Sequence, residues 1–461
     1  MPASVTKNTL YYGDNLEIMQ KYIADDSVDL VYLDPPFNSA RSYNVIFAQH
    51  NDAGTEAAAQ IQAFDDTWHW TPVTDGQYER YTRMGELPEQ VAEALTAFRT
   101  LLGENDGMAY LVNMAPRLVE LHQALKATGS LYLHCDPTMS HYLKILLDAI
   151  FGAERFRSEI VWRRYGSHND AKGYGAVHDV LLYYTKTSKF AFNKQHMPYD
   201  EAYIKERFHL TDPDGRRWAE QNLASPNPRP NLTYPYTASN GVTYDPPPNG
   251  WKVTPEVMRE LDQQGRLHFP VKGTRLRAKN YLDERQGVPV PDLWADIPAI
   301  GGTNPERLGY PTQKPVALLE RIIKSSSNEG DVVLDPFCGC GTTIDAAQKF
   351  NRTWLGIDIT FIAVDLIEKR LLDRYPGIKG TYETFGIPRD LGAAKALFKR
   401  SPFDFERWAV SRINARPNEK QVGDKGIDGV ARFYLDRKTT GKVLVSVKGG
   451  AHIARASCAT S

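Results

Sequence analysis

Two short motifs in the chain combine residue types that can do chemistry on an amino group. The first is VYLDPPFNS, in which Asp34, Pro35, Pro36 and Phe37 follow an apolar run. Because two consecutive prolines fix an extended backbone, the Asp34 carboxylate and the Pro35 carbonyl are held as hydrogen-bond acceptors beside a flat ring. This set suits a planar substrate that carries an amino group, with Phe37 stacked on its face. The alternative interpretation is a strand-ending turn without chemistry.

The second motif, VVLDPFCGCGTT at residues 332–343, is typical of a loop that holds a nucleoside. Gly339 and Gly341 permit a tight turn and close approach of the backbone to a ligand. A dinucleotide fingerprint would need a third glycine where Ile344 stands, which disfavours a dehydrogenase. Asp358, 17 residues beyond Gly341, can accept ribose hydroxyl protons. Together these features indicate a nucleoside without a pyrophosphate.

Both motifs follow short apolar runs that predict buried parallel strands. Four such runs end at or near an acidic residue: Val28–Leu33, Leu131–His134, Val332–Leu334 and Trp354–Ile357. Helical spacing of apolar residues lies between them, at Ser140–Phe151 and Lys314–Ser327. This alternation predicts a doubly wound α/β domain. In such sheets ligands bind at the carboxyl ends of the strands, so both motifs are expected to face one crevice.

The remaining chain predicts an insertion and a small additional unit. We expect residues 1–154 and 301–390 to form the α/β domain, residues 155–300 to be inserted between its parts, and residues 400–461 to form another unit. Seven prolines between Ser225 and Trp251, together with the aromatic residues Tyr234, Tyr236, Tyr244 and Trp251, predict a rigid, irregular binding surface.

Composition excludes several classes of protein. Hydrophobic residues make up 42% of the 461 residues, which excludes global disorder. No apolar run approaches the ~20 residues that span a bilayer, the N-terminus lacks an apolar signal core, and four cysteines are no disulfide framework. These features predict a cytoplasmic protein outside the membrane. The net charge of -1 excludes a uniformly basic surface but leaves a local basic groove open.

The order of the motifs resembles that of the β-class DNA amino-methyltransferases, which include the modification subunits of type III restriction systems. In that family DPPF precedes the target-recognition region and FxGxG follows it. Further similar segments between about residues 8 and 375 are YYGDNLEIM, AFDDTWHW, GSLYLHCDPTMSHYLKILLDAIFG, HDVLLYYTK and YPTQKPVALLERII. The resemblance implies a Rossmann-like S-adenosylmethionine-dependent methyltransferase sheet whose inserted target-recognition region is residues 155–300.

The resemblance also implies a set of residues that hold S-adenosylmethionine. It assigns Asp14 and Asn15 to the adenine and Asp358 to the ribose hydroxyls. Phe337, Gly339 and Gly341 would line the methionine and ribose, and Asp335 lies at the tip of the strand that leads into their loop. Thr312 and Lys314 are assigned to the methionine end. For Lys314, a solvated position at a helix start is an equal alternative.

The implied reaction is methylation of an exocyclic amino group in DNA, with Asp34, Pro35, Pro36 and Phe37 as the catalytic segment. Adenine N6 is favoured over cytosine N4, because family members acting on cytosine often carry serine at the position of Asp34. Cytosine C5 methylation would need a Pro-Cys nucleophile, which the sequence lacks. Without a second cysteine pair, no metal site is expected.

Double-stranded DNA is the expected partner, contacted by the insertion. Six basic residues near aromatic residues are the candidates: Arg163, Arg164, Lys272, Arg275, Arg277 and Lys279. The alternative is an ordinary charged surface. A homodimer and a separate restriction subunit are left open. Rival functions are cytosine-N4 methylation, a bifunctional restriction–modification protein and a non-catalytic DNA-binding module.

The C-terminal segment resembles a fragment of the PD-(D/E)XK nuclease superfamily. GIDG and a following strand that ends SVK would make Asp428 a metal ligand and Lys448 a catalytic lysine, with Glu406 as a helix acid. Ser446 stands where an acidic or amide ligand is usual. We therefore expect a nuclease-like fragment without a working metal site.

Overall fold

A computed structural model describes residues 7–36, 42–47, 59–65, 68–167, 173–269, 275–310, 312–388, 390–413, 415–417, 427–434 and 440–448. Phe37 and Lys272 lie outside the described residues.

The strands, in chain order, are β1 Asn8–Tyr12, β2 Val28–Leu33, β3 Ser42–Phe47, β4 Ala59–Asp65, β5 Leu125–Cys135, β6 Phe156–Arg163, β7 His178–Thr185, β8 His196–Met197, β9 Leu210–Thr211, β10 Arg217–Asn222, β11 Tyr236–Thr237, β12 Thr243–Tyr244, β13 Leu267–His268, β14 Arg277–Tyr281, β15 Val288–Pro289, β16 Leu293–Trp294, β17 Val332–Asp335, β18 Thr353–Asp358, β19 Tyr382–Phe385, β20 Arg416–Pro417, β21 Gly429–Tyr434 and β22 Thr440–Val445. The helices are α1 Asn15–Tyr22, α2 Pro72–Arg83, α3 Glu89–Leu102, α4 Asp106–Ala124, α5 Ser140–Phe151, α6 Glu201–Arg207, α7 Pro255–Gln263, α8 Val316–Ser326, α9 Thr342–Lys349, α10 Phe361–Arg374, α11 Leu391–Arg400 and α12 Pro402–Ser411.

Within the described residues, the main sheet has nine strands in the order β16-β6-β7-β5-β2-β17-β18-β1-β19. Its neighbours are parallel except where β7 pairs with β5 and β6. The α/β fold class is therefore confirmed. Among the described residues, none of the helices is both long and apolar enough to cross a bilayer.

The strands that carry the two motifs are neighbours in this sheet. β2 pairs in parallel with β17, with Leu30 opposite Val333 and Val31 opposite Leu334. At the opposite end, the Asp29 carboxylate accepts the Val332 N–H at 2.9 Å, joining residues 303 positions apart. The register therefore brings the ends of both strands to one edge of the sheet.

Helices cover the sheet on both faces, which explains why its strands are continuous apolar runs. Val31 and Leu33 of β2 belong to a core shared with α1 to α5. On the other face, the Tyr132 hydroxyl of β5 is bonded to the Ser326 hydroxyl of α8 at 2.7 Å. The predicted strand Val28–Leu33 and helix Ser140–Phe151 match β2 and α5. The other three predicted strands lie inside longer ones.

The inserted region is narrower than the predicted residues 155–300. A separate compact unit spans Lys194–Val290. Residues 156–163 and 178–185 form β6 and β7, which pair with each other and join the main sheet through β5. The described part of residues 400–461 groups with the main-sheet unit rather than forming a compact unit of its own.

The Lys194–Val290 unit has its own sheet, β13-β14-β10-β9, and its own core. The aromatic residues expected on a binding surface lie in that core instead. Tyr236, Tyr244 and Trp251 are buried, and Tyr234 packs against them. The indole N–H of Trp251 donates to the Tyr234 carbonyl at 2.8 Å. The proline-rich segment thus uses its aromatic rings to stabilise an irregular fold.

Near the second motif, a buried ionic cluster joins α9 to α10. The Asp345 carboxylate, 1% exposed, accepts hydrogen bonds from Arg370 at 2.7 Å, from Arg374, and from the Tyr375 hydroxyl at 2.7 Å. Arg370 also donates to the Cys340 carbonyl at 3.1 Å. The cluster therefore holds the loop between β17 and α9 as well as the two helices.

We expect Asp345→Ala to lower the free energy of unfolding by about 3–5 kcal/mol, because it leaves the buried Arg370 guanidinium without its carboxylate. Asp365→Ala is the control, since Asp365 pairs with Lys369, whose side chain is 60% exposed. That change should cost less than about 1 kcal/mol. Urea unfolding of both variants measures the difference. Equal losses would contradict a stabilising role for the cluster.

Candidate active site

Four neighbouring strands deliver the residues of one cavity at their carboxyl ends. Segments after β2, β17, β18 and β1 surround a space of about 250 Å³. Its lining comprises Gly13, Asp14, Asn15, Tyr32, Asp34, Pro35, Pro36, Trp68, Arg117, Tyr310, Thr312, Gln313, Lys314, Leu319, Asp335, Pro336, Phe337, Cys338, Gly339, Cys340, Thr342, Thr343, Asp358, Ile359 and Thr360. The two motifs therefore meet in one crevice, as the sequence predicts.

Asp358 fixes the loop that follows β17. One carboxylate oxygen accepts the Gly339 N–H at 2.9 Å, and the other accepts the N–H and the hydroxyl of Thr360, both at 2.8 Å. Burial raises the pKa of Asp358 to about 6, against the lowering effect of these hydrogen bonds. Asp358 thus binds the loop before any ligand is present.

Asp335 is buried at the tip of β17 and accepts fewer hydrogen bonds than Asp358 to offset the cost of burial. It accepts the Phe337 N–H at 3.0 Å and a hydrogen bond from the Thr343 side chain. Burial, with smaller effects from the negative charges of Asp34 and Asp358, raises the pKa of Asp335 to about 7. A cation bound in the cavity would favour its ionised form.

Asp34 contacts Lys314 across the cavity. The Lys314 Nζ donates to Asp34 Oδ2 and, at 3.3 Å, to the Thr312 carbonyl. Both side chains are largely buried, with 9% of Lys314 and 15% of Asp34 exposed. The alternative of a solvated Lys314 is therefore wrong, and its partner is the residue assigned to the target amino group.

Asp14 and Asn15 are tied to an arginine that sequence reasoning missed. Asp14 caps α1 by accepting the Leu16 N–H at 2.9 Å. Arg117 donates to the carboxylate of Asp14 and to the side-chain oxygen of Asn15, both at 2.7 Å. The Asn15 amide donates to the Pro336 carbonyl at 2.9 Å. The available signal was a lone arginine within the apolar helix sequence LVNMAPRLVE.

Gly341 does not line the cavity, unlike the other eight residues assigned to the cofactor. It is the N-cap residue of α9 and adopts a left-handed backbone conformation, with φ 74°. A Cβ there would meet Ile367 Cγ1 at 2.7 Å. Gly341 is thus needed for the turn and for packing against α10. In Gly339, by contrast, a Cβ would meet the Tyr310 ring at 3.2 Å inside the lining.

A second buried network reaches the cavity through Tyr32. The Tyr32 hydroxyl lies 2.9 Å from His134 Nδ1, and His134 Nε2 lies 3.1 Å from the Asp179 carboxylate. Because an ionised Asp179 carboxylate can only accept, His134 Nε2 carries the proton of that hydrogen bond. Burial opposes ionisation of Asp179, but the hydrogen bond and charge of His134, with Lys314 and Arg164, lower its pKa. Spacing in the sequence gave no indication of this network.

The candidate DNA-binding residues have different environments. The Arg164 guanidinium lies 3.3 Å from buried Asp179, so its charge is already partly engaged. Arg163 is exposed and donates weakly to the Ala295 carbonyl at 3.4 Å. In the Lys194–Val290 unit, Lys279 donates to both Asp212 oxygens at 2.9 and 3.0 Å.

Arg275 is exposed and Arg277 is half-buried on β14. Because the charge of Lys279 is already neutralised by Asp212, Arg275 and Arg277 are the better candidates for phosphate contacts in that unit.

Comparison with known proteins identifies the family. The N6/N4 methyltransferase model, described as DNA methylase, matches residues 28–369. The chain belongs to this DNA methylase family. The match begins with β2 and ends in α10, so it includes both motifs and every strand tip of the cavity except that of β1.

Three curated relatives show the range of the similarity. A type II methyltransferase, M.EcaI from Enterobacter cloacae, is 33% identical over 57% of this chain and 57% of the relative. The StyLTI Mod subunit of a type III restriction-modification enzyme from Salmonella typhimurium is 24% identical over 75% of this chain and 50% of the relative. The DNA adenine methyltransferase YhdJ from Escherichia coli is 23% identical over 79% of this chain and 82% of the relative. The chain thus spans only about half the length of the first two.

The DNA methylase match does not extend to the C-terminal segment, and no comparison supports the nuclease resemblance. Asp428 is 8% exposed, and its carboxylate accepts the Val447 N–H of the neighbouring strand segment. Ser446 and Lys448 are exposed. Among the described residues, no group of three histidine, cysteine or acidic side chains could hold a metal ion. In the structure Asp428 therefore links the segment before β21 to the end of β22.

We expect Asp335→Asn to stabilise the protein increasingly as the pH rises from about 4 to about 7, with no further gain above that. A carboxyl group whose pKa is raised from 3.8 to about 7 in the folded protein lowers stability as the pH rises between these two values, because the unfolded chain releases its proton first. Asparagine carries no such cost, and its amide can accept from Phe337 and donate to Thr343. The gain should reach a few kcal/mol, on the order of one per unit of pKa shift.

Thermal unfolding of the variant and the wild type across this pH range tests the assignment. A melting-temperature difference that stays constant with pH would contradict the raised pKa of Asp335.

Proposed function

We propose that this protein transfers a methyl group from S-adenosylmethionine to the N6 amino group of adenine in DNA. The observation that carries the proposal is the convergence of Asp34–Pro35 and the Asp335–Cys340 loop on one cavity, in a chain whose DNA methylase match covers both. A dehydrogenase or a pure DNA-binding module would need no acceptor pair beside a nucleoside loop.

The cavity fits the cofactor in charge and in hydrogen-bonding groups. Asp335 and Asp358 are desolvated carboxylates with raised pKa values, so a ligand that bears positive charge would relieve the cost of ionising them. Asp358 keeps one unused lone pair, on Oδ2, for a ribose hydroxyl. Gly339 leaves space beside Tyr310 that a side chain would fill. Phe337 and Thr312 complete the wall assigned to the methionine end.

Bound S-adenosylmethionine would supply an electrophilic methyl group. The chain's own contribution is to orient the acceptor nitrogen, whose lone pair is otherwise delocalised into the base. Asp34 and the Pro35 carbonyl would accept the two amino hydrogens and direct the lone pair toward the methyl group. The base must leave the helix to reach this cavity. Phe37 remains the predicted stacking partner.

Two lines of support favour adenine over cytosine. The motif carries aspartate at position 34, where cytosine-N4 members often carry serine, and the relative YhdJ is named an adenine methyltransferase. Cytosine N4 remains the second candidate, since the family model joins both chemistries. Double-stranded DNA is the proposed partner. A separate restriction subunit is suggested by the similarity to the StyLTI Mod subunit, and a homodimer stays open.

We expect the purified protein to incorporate tritiated methyl groups into unmethylated chromosomal DNA, and Asp34→Ala to abolish incorporation while cofactor binding persists. Removing Asp34 deletes an acceptor for the target amino group but leaves Asp335 and Asp358 in place. Nucleoside analysis of the product distinguishes N6-methyladenine from N4-methylcytosine. Incorporation by Asp34→Ala at the wild-type rate would refute the catalytic assignment.

We expect Asp358→Ala to weaken S-adenosylmethionine binding by at least about tenfold, equivalent to 1.4 kcal/mol, because it removes both the ribose acceptor and the bond that fixes Gly339. DNA binding should change little. Calorimetry and a DNA-binding assay on the same folded preparation make the comparison. An unchanged cofactor affinity would remove Asp358 from the site.

A further inference from the structure

Lys314 forms an ion pair with Asp34, the carboxylate proposed to bind the target amino group. Its ammonium group donates to Asp34 Oδ2, and 9% of the lysine side chain is exposed. Among the residues that the structure describes, no hydrogen bond reaches the other oxygen, Oδ1. A buried ammonium group paired with a carboxylate is costly to separate, because each charge then loses its partner without regaining water.

The loop that carries Lys314 is braced, so the position of the ammonium group is set before any ligand binds. Thr312 adopts a left-handed backbone conformation with φ 60°. The Gln313 side chain accepts the Leu308 N–H and donates to the Glu306 carbonyl, both at 2.8 Å. The Thr312 carbonyl accepts a further bond from Lys314 itself at 3.3 Å. Such bracing reduces the freedom that Lys314 would lose on forming its pair.

We propose that Lys314 is a positioning residue for methyl transfer, which holds Asp34 Oδ2 and thereby presents Oδ1 to the target amino group. The proposal rests on the function proposed above. An amino group has two hydrogens, and Oδ1 with the Pro35 carbonyl supplies two acceptors. With Oδ2 occupied, the carboxylate cannot rotate freely, and the acceptor pair keeps one orientation.

The charges in the cavity favour this role over a contact with the carboxylate of the cofactor. The negative charges of Asp34 and Asp358 already raise the pKa of Asp335. Moving the ammonium group of Lys314 to a ligand would leave Asp34 unneutralised beside these groups. Arg117, the other cation in the lining, is engaged with Asp14 and Asn15. Lys314 therefore neutralises Asp34 most effectively if it stays in place.

The test uses Lys314→Met, which keeps the length and the apolar stem of the side chain without its charge. With saturating DNA and cofactor, the single-turnover rate of methyl transfer should fall by on the order of 100-fold, as expected when a reacting group is misplaced. The dissociation constant for S-adenosylhomocysteine, measured by calorimetry, should change by less than about threefold, under 1 kcal/mol. Lys349→Met is the matched control, since Lys349 is 51% exposed and pairs with Glu320.

A second variant separates positioning from a merely structural effect. Lys314→Ala leaves room for a small amine, so added methylammonium should raise its transfer rate in proportion to concentration and leave Lys349→Met unaffected. A structural defect would not respond to the amine.

Three results would overturn the inference: an unchanged transfer rate in Lys314→Met, weakened S-adenosylhomocysteine binding with an unchanged rate at saturation, or no rescue by methylammonium. In each case methylation by the wild-type protein in the same assay leaves the proposed function standing. If the wild-type protein transfers no methyl groups, the proposed function fails and the inference fails with it.

Discussion

The parallel pairing of β2 with β17 is the constraint on which the site depends. These strands are about 300 residues apart in sequence, yet the hydrogen bond from the Val332 N–H to the Asp29 carboxylate and the register at Leu30 and Val31 align their carboxyl ends. A slip of one residue would turn every side chain of β2 to the opposite face. Since both faces of β2 are buried, the core excludes such a slip, and Asp34 and Asp335 meet as a consequence of packing.

The four carboxylates of the cavity differ in whether burial or a paired cation determines their environment. Asp335 and Asp358 are costly to ionise, whereas Asp34 faces an ammonium group and Asp14 faces a guanidinium group. Four aspartates that line the same cavity therefore have different environments. Those near the loop after β17 are prepared for a positively charged ligand. Asp34 is paired with Lys314 instead, so the two ends of the cavity differ in charge.

Much of the fold could be predicted because parallel strands buried on both faces leave a strong local signal. The apolar runs that end near Asp34, Asp335 and Asp358 predict both the strands and the edge of the sheet at which a ligand binds. Gly341 could not be assigned in this way, because its motif position does not reveal that Ile367 occupies the space beside it. Tyr236 and Trp251 were misplaced for a related reason. Aromatic residues among prolines can serve a surface or a small core, and only tertiary packing decides between them.

Pairings between charged residues were the least predictable feature, since they join segments that are distant in sequence. The sequence predicts Lys279 and Arg164 as phosphate ligands, but Lys279 donates to Asp212 at 2.9 Å and Arg164 lies 3.3 Å from Asp179. A basic cluster in a sequence therefore sets an upper limit on the charge available to DNA.

The position of the insertion explains how it can coexist with this site. Before residue 194 the chain is anchored by Asn193, whose N–H donates to the Ser325 carbonyl at 2.6 Å. After residue 290 it is anchored by Asp292, whose carbonyl accepts the Val161 N–H at 2.9 Å. Neither anchor involves β2 or β17. Because the entropic cost of closing a loop grows only slowly with its length, the inserted unit can vary in size and sequence while the strand pairing that builds the cavity stays unchanged.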